Sequence, residues 1–221
     1  NVSVDGGTIK LDGNYPVGSN NVALGNDALS SGSLSGTNNT AIGDSALELN
    51  TSGAYGTAIG RGSLENNTTG NYNTATGRES LRFNTTGGNN TSYGVQSLYS
   101  NTTASNNTAL GYQAGYSTTT GGMTAIGYLA LSSATVAQWN TAVGNQALTA
   151  TTGYGNTALG HAAGLANTSA QYNVFVGYES GSAFNGTGDT YNTFIGTGSG
   201  KAVTTGIQNT LIGGLAGDAL T

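Results

Sequence analysis

Asn39-Thr40-Ala41-Ile42-Gly43 is restated, with small changes, about every seventeen residues along the chain. Aligned on its glycine, the motif has twelve copies, anchored at Gly25, Gly43, Gly60, Gly77, Gly94, Gly111, Gly127, Gly144, Gly160, Gly177, Gly196 and Gly213 and spaced 16 to 19 residues apart. Four residues before the glycine stands Asn in ten copies, with Gly56 and Met123 in the other two; three before it stands Thr in ten, and two before it Ala in eight. Ile, Leu or Val mostly precedes the glycine directly. Three residues past it there is always Ala or Ser, and the next position is Leu in seven copies and Gly in five. A fixed period this short, with no heptads, is the signature of a stacked repeat.

Seventeen residues are too few for a helical-hairpin repeat. Thr-Ala-Ile reads as strand, and the Asn-Thr-Thr-Gly segments at 67–70 and 84–87 carry turn chemistry. Each copy is therefore expected to form one coil of an all-β parallel solenoid. Equivalent positions would stack about 4.8 Å apart, and twelve coils would make a rod roughly 55–60 Å long.

Side chains alternate along a strand, so Thr40 and Ile42 share one face while Asn39, Ala41 and Gly43 share the other. Apolar residues thus fall on both faces, and strands of that kind are usually covered on both. The coil's narrow interior, lined by Ala and Ser, supplies one cover. A second chain is expected to supply the other, and an intertwined homotrimer would also protect the sheet edges.

Residues 1–19 do not carry the repeat: Val2, Val4, Ile9 and Leu11 alternate with polar residues around Asp5-Gly6-Gly7 and read as a β cap or connector. Residues 20–221 are the solenoid. Leu29, Leu47, Leu64, Leu81 and Leu98 form an unbroken column that later mixes with Gly164, Gly181, Gly200 and Gly217, while Phe175 and Phe194 enter the Ala column. Bulk has moved between columns, and a gradual change in cross-section is expected. The last copy carries no polar capping segment, so more protein is expected beyond Thr221.

Charged residues are 7% of the chain and the net charge is −5, with Lys10, Arg61, Arg78, Arg82 and Lys201 as the only bases. That leaves no basic stripe for nucleic acid. Cysteine is absent, which removes disulfides and thiolate metal sites. No apolar run reaches the length of a membrane-spanning helix, so membrane insertion is not expected.

The Asn-Thr-Ala-Ile-Gly copies, with Ala or Ser three residues on, resemble the Ser-Val-Ala-Ile-Gly repeats in the head domains of trimeric autotransporter adhesins. They are still more similar to the Asn-Thr-Ala-x-Gly arrays of bacteriophage tail fibres, over about residues 20–219, and the opening residues 7–13 share a weaker likeness. The resemblance implies a trimeric left-handed parallel β-roll displayed on a virion or cell surface and used for attachment. Two features depart from the adhesin pattern: the coil is longer, and the adhesin's Val is mostly Thr.

Catalytic chemistry finds little support. His161 is the sole histidine and has no second imidazole to join. The carboxylates are scattered; Asp27 and Asp44 fall in neighbouring columns within reach of each other, but a glycosidase pair needs a cleft that a convex rod does not offer. Neither a phosphate loop nor a calcium-binding repeat is present, and no cofactor or metal site is expected. The Asn column (Asn39, Asn73, Asn90, Asn107, Asn140, Asn156) is expected to form hydrogen-bonded stacks of amides along the rod.

Aromatic columns are the better candidates for binding. Tyr112, Tyr128, His161 and Tyr178 share the position just after the glycine with Arg61 and Arg78; Tyr55, Tyr72, Trp139, Tyr172 and Tyr191 share the position five before it. Aromatic faces stack on sugar rings, although the same rings also serve as a structural ladder sealing a coil corner. The expected function is that of a structural fibre contacting host cell-surface glycan, with a cell-anchored adhesin and an ice-binding solenoid as the other readings. Ice binding needs an open Thr face, whereas Thr here shares its face with Ile42, Ile59 and Leu110, which favours burial.

Overall fold

The computed structural model describes residues 19–136 and 138–219, so all but the last residue of the expected N-terminal cap lies outside the described residues. Within them are fourteen strands of three residues each and no helix. Twelve strands, from β1 (Val22–Leu24) and β2 (Thr40–Ile42) to β13 (Thr193–Ile195) and β14 (Thr210–Ile212), stack in one parallel sheet. Two others, β10 (Ser169–Gln171) and β12 (Thr187–Asp189), pair in parallel beside it. The chain is a parallel β-solenoid of about eleven turns.

Register is kept motif on motif: Thr40 lies opposite Thr57, Ala41 opposite Ala58 and Ile42 opposite Ile59. Three-residue strands would not survive alone, and each gains its stability from the coils above and below. The turns between strands are laddered as well. Leu47 N donates to Ser63 O at 3.0 Å and Thr51 N to Thr68 O at 2.9 Å, toward the next coil, while Ser45 N donates back to Asn26 O at 2.8 Å. Backbone groups in the turns are thereby satisfied even where the turn residues, such as Leu47 and Ser63, are buried.

The strands contribute mostly small side chains to the interior, and the turns contribute leucines. Ala41, Ala58, Ala75, Ala109, Ala125, Ala142 and Ala158 are fully buried, with Ser63, Ser80 and Ser97 beside them. The strand glycine is fixed by two constraints at once. It adopts φ between 127° and 143° in every described copy, a region closed to other residues. Its missing Cβ is also where the next coil passes: at Gly60, a Cβ would stand 2.6 Å from Gly77 O.

The mixed Leu and Gly column has a conformational cause. All seven leucines in it have φ between 46° and 52°, and the five glycines in it have φ between 58° and 71°, so this position is left-handed throughout. Left-handed Leu costs about 1–2 kcal/mol, and full burial of its side chain offsets that by about 1.5–3 kcal/mol. Where Gly takes over, a larger side chain fills the same space: Met123 beside Gly115, Phe175 beside Gly164 and Gly181, Phe194 beside Gly200, and Leu211 beside Gly217. Bulk does move between columns, as the sequence indicated. The exchange happens in place, and strand register continues through it unchanged.

Candidate functional site

The Ala and Asn face of the sheet is buried and the Thr and Ile face is open. Burial of Thr beside Ile does not occur within the chain, because the coil's interior is filled by the other face. Ile42, Ile59, Leu110, Leu159 and Ile212 are all exposed, Leu159 by 50%. The result is an open strip twelve strands long, a mostly Thr column beside a mostly aliphatic one that Thr76 and Tyr93 interrupt. Because the flanking positions sit two residues outside each strand, the strip is bordered on one side by Tyr55, Tyr72, Trp139, Tyr172 and Tyr191. On the other it is bordered by Arg61, Arg78, Tyr112, Tyr128, His161 and Tyr178.

Stacking on adjacent coils pairs the aromatic residues. Tyr55 and Tyr72 lie 4.9 Å apart with planes 4° from parallel, Tyr112 and Tyr128 5.4 Å apart at 14°, His161 and Tyr178 5.1 Å apart at 13°, and Tyr172 and Tyr191 5.2 Å apart at 5°. Rings stacked along the rod turn much of their faces toward one another, leaving edges, hydroxyls and the end faces of each stack outward. Trp139, 66% exposed, instead meets Tyr154 edge-on at 87°, and Tyr154 meets Tyr172 at 88°. Tyr154 thus bridges the gap left by Gly155 in this column. The Tyr172 hydroxyl is pushed up to about 12, first by its hydrogen bond to Tyr154. The Tyr191 hydroxyl is raised by the Asp189 carboxylate, which accepts its proton at 3.2 Å.

The Asn column forms the expected amide stack only in part, between Asn156 and Asn173 and between Asn192 and Asn209, and elsewhere binds backbone. Asn73 Oδ1 accepts the backbone N–H of Asn90, Asn90 Oδ1 that of Asn107, and Asn140 Oδ1 that of Asn156, at 2.7–3.0 Å. Several Nδ2 groups turn to a carbonyl across the coil, as from Asn39 to Gly53 O at 2.9 Å and from Asn73 to Gly87 O at 2.7 Å, whereas Asn173 and Asn209 donate to the amides of Asn156 and Asn192 at 3.0 and 3.1 Å and the buried Asn107 Nδ2 has no acceptor. In the earlier coils, as at Asn73 and Asn90, the amide is thus held by backbone through both its oxygen and its nitrogen. This also explains the exceptions: Gly56 and Met123 still give their N–H groups to Asn39 and Asn107.

An amide-to-amide ladder does exist, in the turn column. Asn67 donates to Asn50, Asn84 to Asn67 and Asn101 to Asn84, each at 2.8 Å and fully or almost fully buried. It stops where Thr118 replaces Asn, and Asn101 Oδ1 is left without a donor. Asn84→Ala removes the donor to Asn67 Oδ1 and opens a buried gap. Chemical denaturation is expected to show a loss of about 2–3 kcal/mol; a change no larger than that of exposed Thr86→Ala would show the ladder to be dispensable.

Charge is concentrated in one place. Arg61, Arg78 and Arg82 all approach Glu79, whose carboxyl is held below the usual carboxylate range by the Gln96 hydrogen bond and then by Arg78, Arg82 and Arg61. A second, smaller group joins Lys201 to Glu179, which also accepts from Tyr178. Asp27 and Asp44 do come near each other: Asn26 Nδ2 donates to Asp27 Oδ2 at 2.5 Å and to Asp44 Oδ1 at 3.3 Å. Among the described residues no cluster of metal-ligating side chains forms.

Two features escaped the sequence reading. Phe83, Tyr99 and Tyr116 form a third aromatic column, with centroids 4.9 Å apart and Tyr99 and Tyr116 stacked at 3°. Phe83 falls six residues past its glycine and the tyrosines five, so alignment on the glycine set Phe83 apart; spacings of 16 and 17 residues, close to the repeat period, were the available signal. The Glu79 cluster was the other, because its members sit at different positions of neighbouring coils. No family model, curated protein or solved structure matches the chain.

Proposed function

We propose that the chain is a structural fibre segment of the phage tail-fibre kind, assembled as an intertwined homotrimer through its open Thr and Ile strip and touching host cell-surface glycan along the flanking columns. The reading is non-catalytic, and it places the protein on a virion or cell surface. The observation that carries it is the strip itself. A parallel sheet with aliphatic columns on its outer face calls for a cover, and exposed apolar area this continuous is rare on a monomer. Likeness to fibre and adhesin repeats sets the copy number at three and favours a left-handed β-roll. Exposed aromatic columns and the scarcity of charge support contact with sugar hydroxyls.

Light scattering on the purified chain is expected to give a mass near three times 21.9 kDa that persists on dilution. A dilution-stable monomer would sink the trimer. One observation favours a second reading in that event: Thr40, Thr57, Thr74, Thr91, Thr108, Thr124, Thr141 and Thr157 stand in unbroken register on the open strip. A regular Thr array suits an ice-binding surface, and thermal hysteresis from the monomer would establish it.

A further inference from the structure

Among the described residues, the arginines fall in two consecutive coils and converge on one carboxylate. Glu79, its side chain 9% exposed, meets Arg61 Nη2 at 3.3 Å and Arg78 Nη1 and Arg82 Nη1 at 3.7 Å each through Oε1. Its Oε2 accepts from Gln96 Nε2 at 2.8 Å. Arg82 is committed to Glu65, with Nε at 2.9 Å from Oε2 and Nη2 at 3.1 Å from Oε1. With Asp44 bordering the same cleft, three guanidinium groups face three carboxylates, so the cluster is balanced in charge and what distinguishes it is where the charges lie. Asp44, one coil before Arg61 in the same column, accepts from Asn26.

The guanidinium groups of Arg61 and Arg78 lie on the outside, whereas Glu79 lies beneath. Arg61 and Arg78 side chains are 60% and 51% exposed, and each touches Glu79 through one nitrogen at a distance that leaves most of its N–H fork open. Beneath Arg61 a cleft of about 120 Å³ is lined by Asp44, Glu65 and Glu79 together with Arg61 and Arg82, whose charges face one another there, so the receptive side is the outer one. Two such forks one coil apart, about 4.8 Å, repel each other, and an added oxyanion relieves that repulsion while accepting bidentate hydrogen bonds. Along the same column, the next coils present Val95 and then the stacked Tyr112 and Tyr128. A linear glycan laid along the column would pass over these coils in turn. One sugar per coil would place charged groups on the arginines and ring edges or faces on the tyrosines.

We propose that Arg61 and Arg78 seat the oxyanions of an acidic linear glycan lying along this column, with Tyr112 and Tyr128 contacting its following sugars. The proposal rests on the attachment reading and narrows the ligand to polymers that carry carboxylate or phosphate on successive sugars.

The test is calorimetry at low salt with oligogalacturonate, its methyl-esterified form and inorganic phosphate, on the wild type, Arg61→Gln/Arg78→Gln and Tyr112→Ala/Tyr128→Ala. Binding of oligogalacturonate, weakened about tenfold or more by the arginine substitutions and less by the tyrosine ones, and lost on esterification or at high salt, is the expected result. Equal binding by the arginine variant, no binding by the wild type, or phosphate binding as tight as the oligomer overturns it. A changed mass of the arginine variant in light scattering, which would assign these residues to contact between copies, overturns it too. Adhesion of the wild type to bacterial cells is scored separately: adhesion without oligogalacturonate binding sinks this site and leaves the attachment reading standing, and the reverse sinks the attachment reading alone.

Discussion

Gly60→Ala is expected to destabilise the rod by about 4 kcal/mol or more, a severe effect for one added methyl group. The residue holds φ +129, where a Cβ carries its own backbone penalty, and that Cβ would stand 2.6 Å from Gly77 O and 2.7 Å from Gly77 C. A side chain at such a contact would bend or move away, but a backbone carbonyl held by the next coil does neither. Relief requires separating two coils, and the strands on both sides are then drawn out of register. Gly32→Ala is the control, since nothing lies within 4 Å of its missing Cβ and its φ is not left-handed; it should change stability by no more than about 0.5 kcal/mol. Thermal unfolding followed by circular dichroism compares the two. Similar midpoints would mean that coils are free to separate locally, and the close stack would not be what holds the rod together.

That glycine was readable as an anchor because it recurs, and recurrence also gave the parallel sheet, the register and the buried Ala and Ser columns. Period and parity are enough for those features, since a solenoid repeats its contacts as faithfully as its letters. Conformation was less legible. Leu81 and Gly181 occupy one column for the same left-handed backbone, yet as letters they are a large aliphatic residue and no side chain at all. The Asn residues show a related limit. Sequence marks both Asn73 and Asn84 as repeated amides, but only the folded geometry shows that both donate to the Gly87 carbonyl and that Asn84 alone of the two also reaches the amide one coil before it. The Glu79 cluster was hidden for a third reason: its contacts join Arg61, Arg78 and Arg82 from different columns and consecutive coils, so no single column of the alignment contains them.

Phe175→Ala tests whether the core obeys one volume rule along the rod. Phe175 is fully buried, lies 5.8 Å from both Phe184 and Phe194, and fills the space vacated at Gly164 and Gly181. Truncating it is expected to cost about 3–5 kcal/mol, as emptied aromatic sites do. The regular coils supply the remedy: with Ala75 in the strand, Leu64 and Leu81 fill the interior from the left-handed position. Adding Gly164→Leu to Phe175→Ala restores that arrangement. The Leu would cost about 1–2 kcal/mol in backbone strain, so the double variant should regain roughly half of what the single one loses. Gly164→Leu alone should be destabilising, because its Cβ would meet the Phe175 ring at 2.7 Å and Leu148 at 2.9 Å. Opposite signs for the same substitution in the two backgrounds are what in-place exchange requires. If Gly164→Leu harms both backgrounds equally, the aromatic coils are packed by a rule of their own, and the change in composition near Gly164 is a real change in the rod.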